Sequence, residues 1–123
     1  MESNAEIILK ALSGLRLGRN IEEMDIHAAI AQSLDKEGIE YRHEYRLKPH
    51  CRLDFLVGSI AIEVKKGRPV PSSLVRQISN YLQDETLTGI IVVTQHSVKL
   101  PLSLFGKQIH QIALDRLWGV SLP

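Results

Sequence analysis

This 123-residue chain has a single cysteine, Cys51, which excludes an intrachain disulfide framework and fits a reducing compartment such as the cytoplasm. It has no long apolar run: the longest, Ile90-Ile91-Val92-Val93, is far shorter than the roughly 20 residues a spanning helix needs. The N-terminus, Met1-Glu2-Ser3-Asn4-Ala5-Glu6, has no basic segment ahead of an apolar stretch, so no signal peptide is visible. No membrane partner is expected. Repeats and low-complexity tracts are absent, and nothing specifies an oligomeric state. Without a Gly-x-x-x-x-Gly-Lys-Ser/Thr loop, P-loop nucleotide use is not expected. Without a Cys-x-x-Cys pair, Cys51 beside His50 is too little for a structural zinc site. His43, His96 and His110 are scattered and carry no nucleophile signature. What is left is one globular domain over residues 1–123, with 44% apolar and 24% charged residues.

Net charge is also missing: fifteen basic residues oppose fourteen acidic ones, for +1 overall. The local distribution is uneven. Residues 1–40 hold four basic and eight acidic residues, whereas 41–76 hold eight basic and three acidic, a local net of +5. The basic residues there are Arg42, Arg46, Lys48, Arg52, Lys65, Lys66, Arg68 and Arg76. Such a segment either forms a face that meets an anion or keeps a solvated strand edge from aggregating.

Hydrophobic periodicity predicts a first helix from residue 3 to about 17, ended by Gly18, with Ile7, Ile8, Leu9, Ala11, Leu12 and Leu15 at helical spacing. A second helix starts near Asn20 as N-cap, with Glu22 and Glu23 in its first turn, a stripe of Ile26, Ile30 and Leu34, and Gly38 as its stop. Three strands follow, at Ile39–Leu47, Cys51–Val57 and Ser59–Lys65. Gly67–Ser73 reads as a loop, Ser73 to about Asp84 as a third helix, and Thr88–Thr94 as a buried strand. Beyond Pro101, Ile109–Leu114 could form another strand and Leu117-Trp118 a closing apolar cap. The order is ααβββαβ plus a short remainder, an α/β domain.

Gly58-Ser59 is a two-residue hairpin signature. It sets Val57 against Ile60, Phe55 against Ile62, and Asp54 against Glu63. Leu53, Phe55 and Val57 then share one face with Ile60, Ile62 and Val64, and the two carboxylates stand together on the other, with Lys65 two residues along. Like charges so placed are destabilising. A divalent cation, for which Mg²⁺ has the right oxygen preference, would offset this, as would neutralisation by Lys65 or screening by water on an exposed face. Gln77 and Tyr81 lie four apart on one face of the third helix. His27 falls on the inward edge of the second helix, either packing or ligating, and Glu23 lies one turn earlier.

His27, Asp54, Glu63-Val64-Lys65 and Gln77-x-x-x-Tyr81, in that order, resemble the PD-(D/E)XK nuclease superfamily, in particular its RecB-type branch. The Pro that names the motif is replaced by Leu53. The resemblance covers about residues 20–95 and implies a restriction-endonuclease-like αβββαβ core, a central mixed sheet flanked by helices, here with an extra N-terminal helix. It implies a Mg²⁺- or Mn²⁺-dependent deoxyribonuclease acting in DNA repair, recombination or processing. By position Asp54, Glu63, the Val64 carbonyl and His27 would hold the metal, and Lys65 would orient the attacking water. Gln77 and Tyr81 would support the site or contact DNA, and Arg52, Lys66, Arg68 and Arg76 would hold phosphates. Glu23 is the alternative helical acid and Glu44 an outer one. An imidazole ligand would favour Mn²⁺ over Mg²⁺. The competing reading is a non-catalytic DNA-binding or accessory subunit on the same fold.

Overall fold

The computed structural model describes residues 3–18 and 20–116. Its elements are α1 (Asn4–Leu12), α2 (Glu23–Lys36), β1 (Arg42–Lys48), β2 (Cys51–Val57), β3 (Ile60–Lys65), α3 (Pro71–Leu82), β4 (Gly89–Thr94), β5 (Ser103–Leu104) and β6 (Lys107–Ala113). The six strands form one mixed sheet in the order β1-β2-β3-β4-β6-β5. The first three strands are joined by antiparallel hairpins. Then α3 carries the chain across to β4, which runs parallel to β3, and β6 runs parallel to β4. Among the described residues no helix is long and apolar enough to cross a membrane.

Two apolar layers sandwich the sheet. On one face Ile8 and Leu12 of α1 and Ile26, Ile30 and Leu34 of α2 pack on Phe55, Ile62, Val64, Ile91 and Val93. On the other, Leu74, Ile78 and Leu82 of α3 pack on Leu53, Ala61, Ile90, Val92 and Ile109. The four-residue spacing of the α2 stripe gives all three of its members 0% exposure. The Leu34 carbonyl accepts the Ile39 N–H and the Asp35 carbonyl that of Gly38, whose φ of 68° closes the helix in the left-handed conformation.

Several boundaries differ from expectation for local reasons. The first helix ends at Leu12, because the Ser13 hydroxyl donates to the Lys10 carbonyl and caps the turn there. Leu15 is nevertheless buried, on non-helical chain. The N-cap of α2 is Glu22, not Asn20: the Glu22 N–H donates to the Asp25 carboxylate (2.8 Å), and Ile21 is drawn into the core before the helix begins. Pro71, not Ser73, opens α3 as its first residue, where a missing N–H is harmless. The sheet runs past residue 95, since β6 doubles its parallel part. Leu117 and Trp118 lie outside the described residues.

Candidate active site

The hairpin register is as expected for three pairs, Val57↔Ile60, Leu56↔Ala61 and Phe55↔Ile62, with Gly58 at φ 58° taking the turn position that needs it. Pairing then stops, and Asp54 and Glu63 are not simply opposed side chains. The Val64 N–H donates to Asp54 Oδ2 (2.7 Å), and the Asp54 N–H points at Glu63 Oε1 (3.4 Å). Each carboxylate replaces a carbonyl of the interrupted ladder, so the strands part where the acids sit.

The side-chain alternation breaks at the same place. Leu53 was expected beside Phe55 and Val57, but it packs in the α3 layer while they pack in the α1–α2 layer. The paired strand of the neighbouring hairpin reverses at the same place. Glu44, between the pairs His43↔Phe55 and Tyr45↔Leu53, falls opposite Asp54 and has a φ of 55°. A non-glycine residue in that region costs on the order of 1–2 kcal/mol; β1 changes face at Glu44, as β2 does at the facing Asp54. The two acids therefore face different helices, Asp54 toward α2 and Glu63 toward α3.

Glu63 is 4% exposed. Its Oε2 accepts from the Tyr81 hydroxyl (3.1 Å) and Gln77 Nε2 (3.2 Å), and Lys65 Nζ lies 3.4 Å away. Gln77 also donates to the Tyr81 oxygen (2.8 Å), so the four-residue spacing on α3 builds one clamp on one carboxylate. Burial and the neighbouring Asp54 push the Glu63 carboxyl up to about 7, against the opposing pull of Lys65 and Tyr81. Burial and the charge on Glu63 likewise raise the Tyr81 phenol, which stays a donor. Tyr81, Gln77 and Lys65 turn donors or positive charge toward Glu63, while the Asp54 carboxylate opposes it, a crowding that a further positive charge would relieve.

His27 is 3% exposed, and its Nε2, 3.9 Å from Asp54 Oδ2, has no hydrogen-bond partner among the described residues. A buried ring nitrogen left without a partner beside a carboxylate is a costly arrangement unless something else binds there. The other ring nitrogen, Nδ1, is 2.8 Å from Nε2 of His43, whose ring stacks on Phe55 with centroids 4.6 Å apart. Ring nitrogens of His27 and His43 and a Glu44 oxygen all lie within 4.8 Å of one another.

The expected residues thus divide. Asp54, Glu63, Lys65, Val64 (through its N–H), His27, Gln77 and Tyr81 come together. Arg52, Asp54, Glu63, Gln77 and Tyr81 line a cleft of about 380 Å³ together with His50 and Asn80. Arg76 lines the adjoining hollow on α3, which shares Gln77 and Asn80 with that cleft. Arg68 is exposed on the loop after β3, and Lys66 is paired at 3.1 Å with Glu22. Glu23 is exposed in the first turn of α2 and joins none of the site's hydrogen bonds or ion pairs among the described residues.

The sequence gives no sign that His43 reaches His27. Counting back from a tight turn at Pro49-His50 sets His43 opposite Leu56. The actual register, His43↔Phe55, follows from a bulge between Arg46 and Lys48 that no residue type announces. No known family model, curated protein or solved structure matches this chain.

Proposed function

We propose that the chain is a divalent-cation-dependent deoxyribonuclease built on a PD-(D/E)XK-type, restriction-endonuclease-like core. The observation that carries this reading is the buried Nε2 of His27, which has no hydrogen-bond partner among the described residues and faces Asp54 Oδ2 at 3.9 Å, beside a buried Glu63 held by the Tyr81 and Gln77 donors. A nitrogen without a partner and two crowded carboxylates together fit a cation better than they fit one another. Asp54, Glu63 and His27 would hold it, with Mn²⁺ favoured over Mg²⁺ because one donor is an imidazole. When bound, the cation polarises a phosphate oxygen and makes a water more acidic.

The chain's own residues supply the remainder. Tyr81 and Gln77 fix Glu63 in one orientation and keep its Oε2 occupied. Lys65, half-buried at the edge of the carboxylates, places a positive charge where the attacking water and the developing negative charge on phosphorus would lie. Arg52 and Arg76, exposed along the cleft and the hollow beside it, would hold flanking phosphates, which positions the strand without reading sequence. Lys66 would exchange an exposed ion pair with Glu22 for a phosphate at little cost.

The test is incubation of the purified chain with linear, circular and branched DNA in Mg²⁺, Mn²⁺ or EDTA. Cation-dependent cleavage, faster in Mn²⁺, is expected. Lys65→Ala should slow cleavage much more than it weakens DNA binding. Binding without cleavage in any cation would instead make the chain a DNA-binding module, and neither binding nor cleavage would overturn the reading altogether.

A further inference from the structure

The second cluster of donors, His27, His43 and Glu44, overlaps the proposed reaction only at His27. His43 and Glu44 are neighbours on a strand, where successive side chains ordinarily point to opposite faces. Their donor atoms meet, within 4.8 Å of each other and of the His27 ring, because Glu44 adopts a φ of 55° and breaks the alternation. The set is two imidazoles and a carboxylate, the nitrogen–oxygen mixture that a borderline ion such as Zn²⁺ takes with one position left open. His27 is buried while His43 and Glu44 are exposed, so the set has one rigid anchor and an open path for entry.

We infer that His27, His43 and Glu44 form a second cation site, selective for Zn²⁺-like ions, which shares His27 with the carboxylate site and competes with it. A neutral imidazole keeps one proton and offers one lone pair. With Nδ1 of His27 on Zn²⁺ between the two rings, its proton resides on Nε2 and faces Asp54, so that nitrogen can no longer ligate. With Nε2 on a cation beside Asp54, Nδ1 carries the proton and donates to His43 Nε2, the 2.8 Å contact seen here. No proton is gained or lost by the ring in the exchange. Zinc would therefore act as an inhibitor that removes one ligand from the site without occupying it. That consequence rests on the nuclease reading, whereas the zinc site does not.

The experiment is calorimetric titration of Zn²⁺ into the cation-stripped full chain as wild type, His43→Phe, Glu44→Gln and Asp54→Asn, with circular dichroism as the check on folding. Phe at 43 keeps a ring to stack on Phe55, and Glu44 is exposed, so one of these two variants reports even if the other fails to fold. One Zn²⁺ should bind to wild type and to Asp54→Asn with similar affinity. His43→Phe and Glu44→Gln should each lose about tenfold or more, at least the loss seen when a residue merely supporting a ligand is removed. Unchanged affinity in those two variants, or a loss confined to Asp54→Asn, would overturn the site. Mn²⁺ titrated into Zn²⁺-loaded wild type should bind several-fold more weakly than into the zinc-free protein, and equal binding would overturn the sharing. Failure of the nuclease reading would show separately, as Mn²⁺ affinity indifferent to Asp54→Asn.

Discussion

The β3–β4 ladder and the β2–β3 ladder lie side by side in one sheet and follow opposite rules. Between β3 and β4 six successive pairs run in unbroken parallel register, from Ile60↔Gly89 to Lys65↔Thr94, and every residue of β4 is buried. Backbone groups there satisfy backbone groups, and of the β4 side chains Ile90, Ile91, Val92 and Val93 only fill space while Thr94 donates to Gln111. Between β2 and β3 pairing ends after three residues, and the carboxylates of Asp54 and Glu63 accept the N–H groups that the ladder leaves behind. The first ladder is built for stability. The second gives up regular pairing to hold two acids and a histidine at the opening between helix layers. The proposed chemistry falls where the sheet is least regular, in keeping with strain gathering at functional sites.

The comparison is broken most completely at the acids. Asp54→Asn or Glu63→Gln should lower the cleavage rate by roughly a thousandfold or more, the scale of losing a group that acts in the transition state, while the cation-free melting temperature holds level or rises. Unimpaired turnover in either variant would place the site elsewhere.

On the regular side, Ile91→Ala in β4, at 0% exposure, should cost about 2–5 kcal/mol in denaturant unfolding and leave Mn²⁺ affinity within about twofold, the tolerance for independent sites. A comparable loss of affinity would mean that the two ladders are one unit.

A third test uses pH. The Glu63 carboxyl, at about 7 in the folded chain, lies above its ordinary value of 4.5. A carboxyl raised on folding favours the fold below its unfolded value, and that contribution is lost as pH rises through 7. In EDTA, Glu63→Gln should therefore be more stable than wild type at pH 8, by on the order of 2–3 kcal/mol, and the gap should close by pH 4.5. A constant gap would mean that ionisation of Glu63 carries no folding cost.

The smallest effect concerns Glu44. Glycine adopts φ 55° without the side-chain penalty but loses more backbone entropy, so Glu44→Gly should stabilise the chain by about 0.5 kcal/mol in chemical denaturation. Destabilisation by that amount or more would show that the left-handed turn is held by contacts of the Glu44 side chain.

What could be read from the sequence follows the same division. The β-branched run of β4, the four-residue stripe of α2 and the Gly58 hairpin identified elements, faces and register, because in each a single periodicity decides the outcome. Hairpin spacing brings Asp54, Glu63 and Lys65 to one stretch of the sheet and helix spacing sets Gln77 beside Tyr81, but neither shows that the acids leave the ladder and face different helices. The reversal of faces at Leu53 was not legible, since it accompanies a positive φ at the facing Glu44, a residue type that gives no warning of it. His43 stayed hidden behind a bulge at Leu47. β6 was only half visible, because its alternation is diluted by Gln108, His110 and Gln111, all three of which make side-chain hydrogen bonds.

The claim on which the rest depends is that one cation would sit among Asp54, Glu63 and His27. Mn²⁺ titrated by calorimetry into wild type, Asp54→Asn and His27→Ala tests it directly. The account predicts a single site in wild type, lost in Asp54→Asn and weakened about tenfold or more in His27→Ala. Superimposable isotherms for wild type and His27→Ala would contradict it and leave the buried nitrogen beside Asp54 without an occupant.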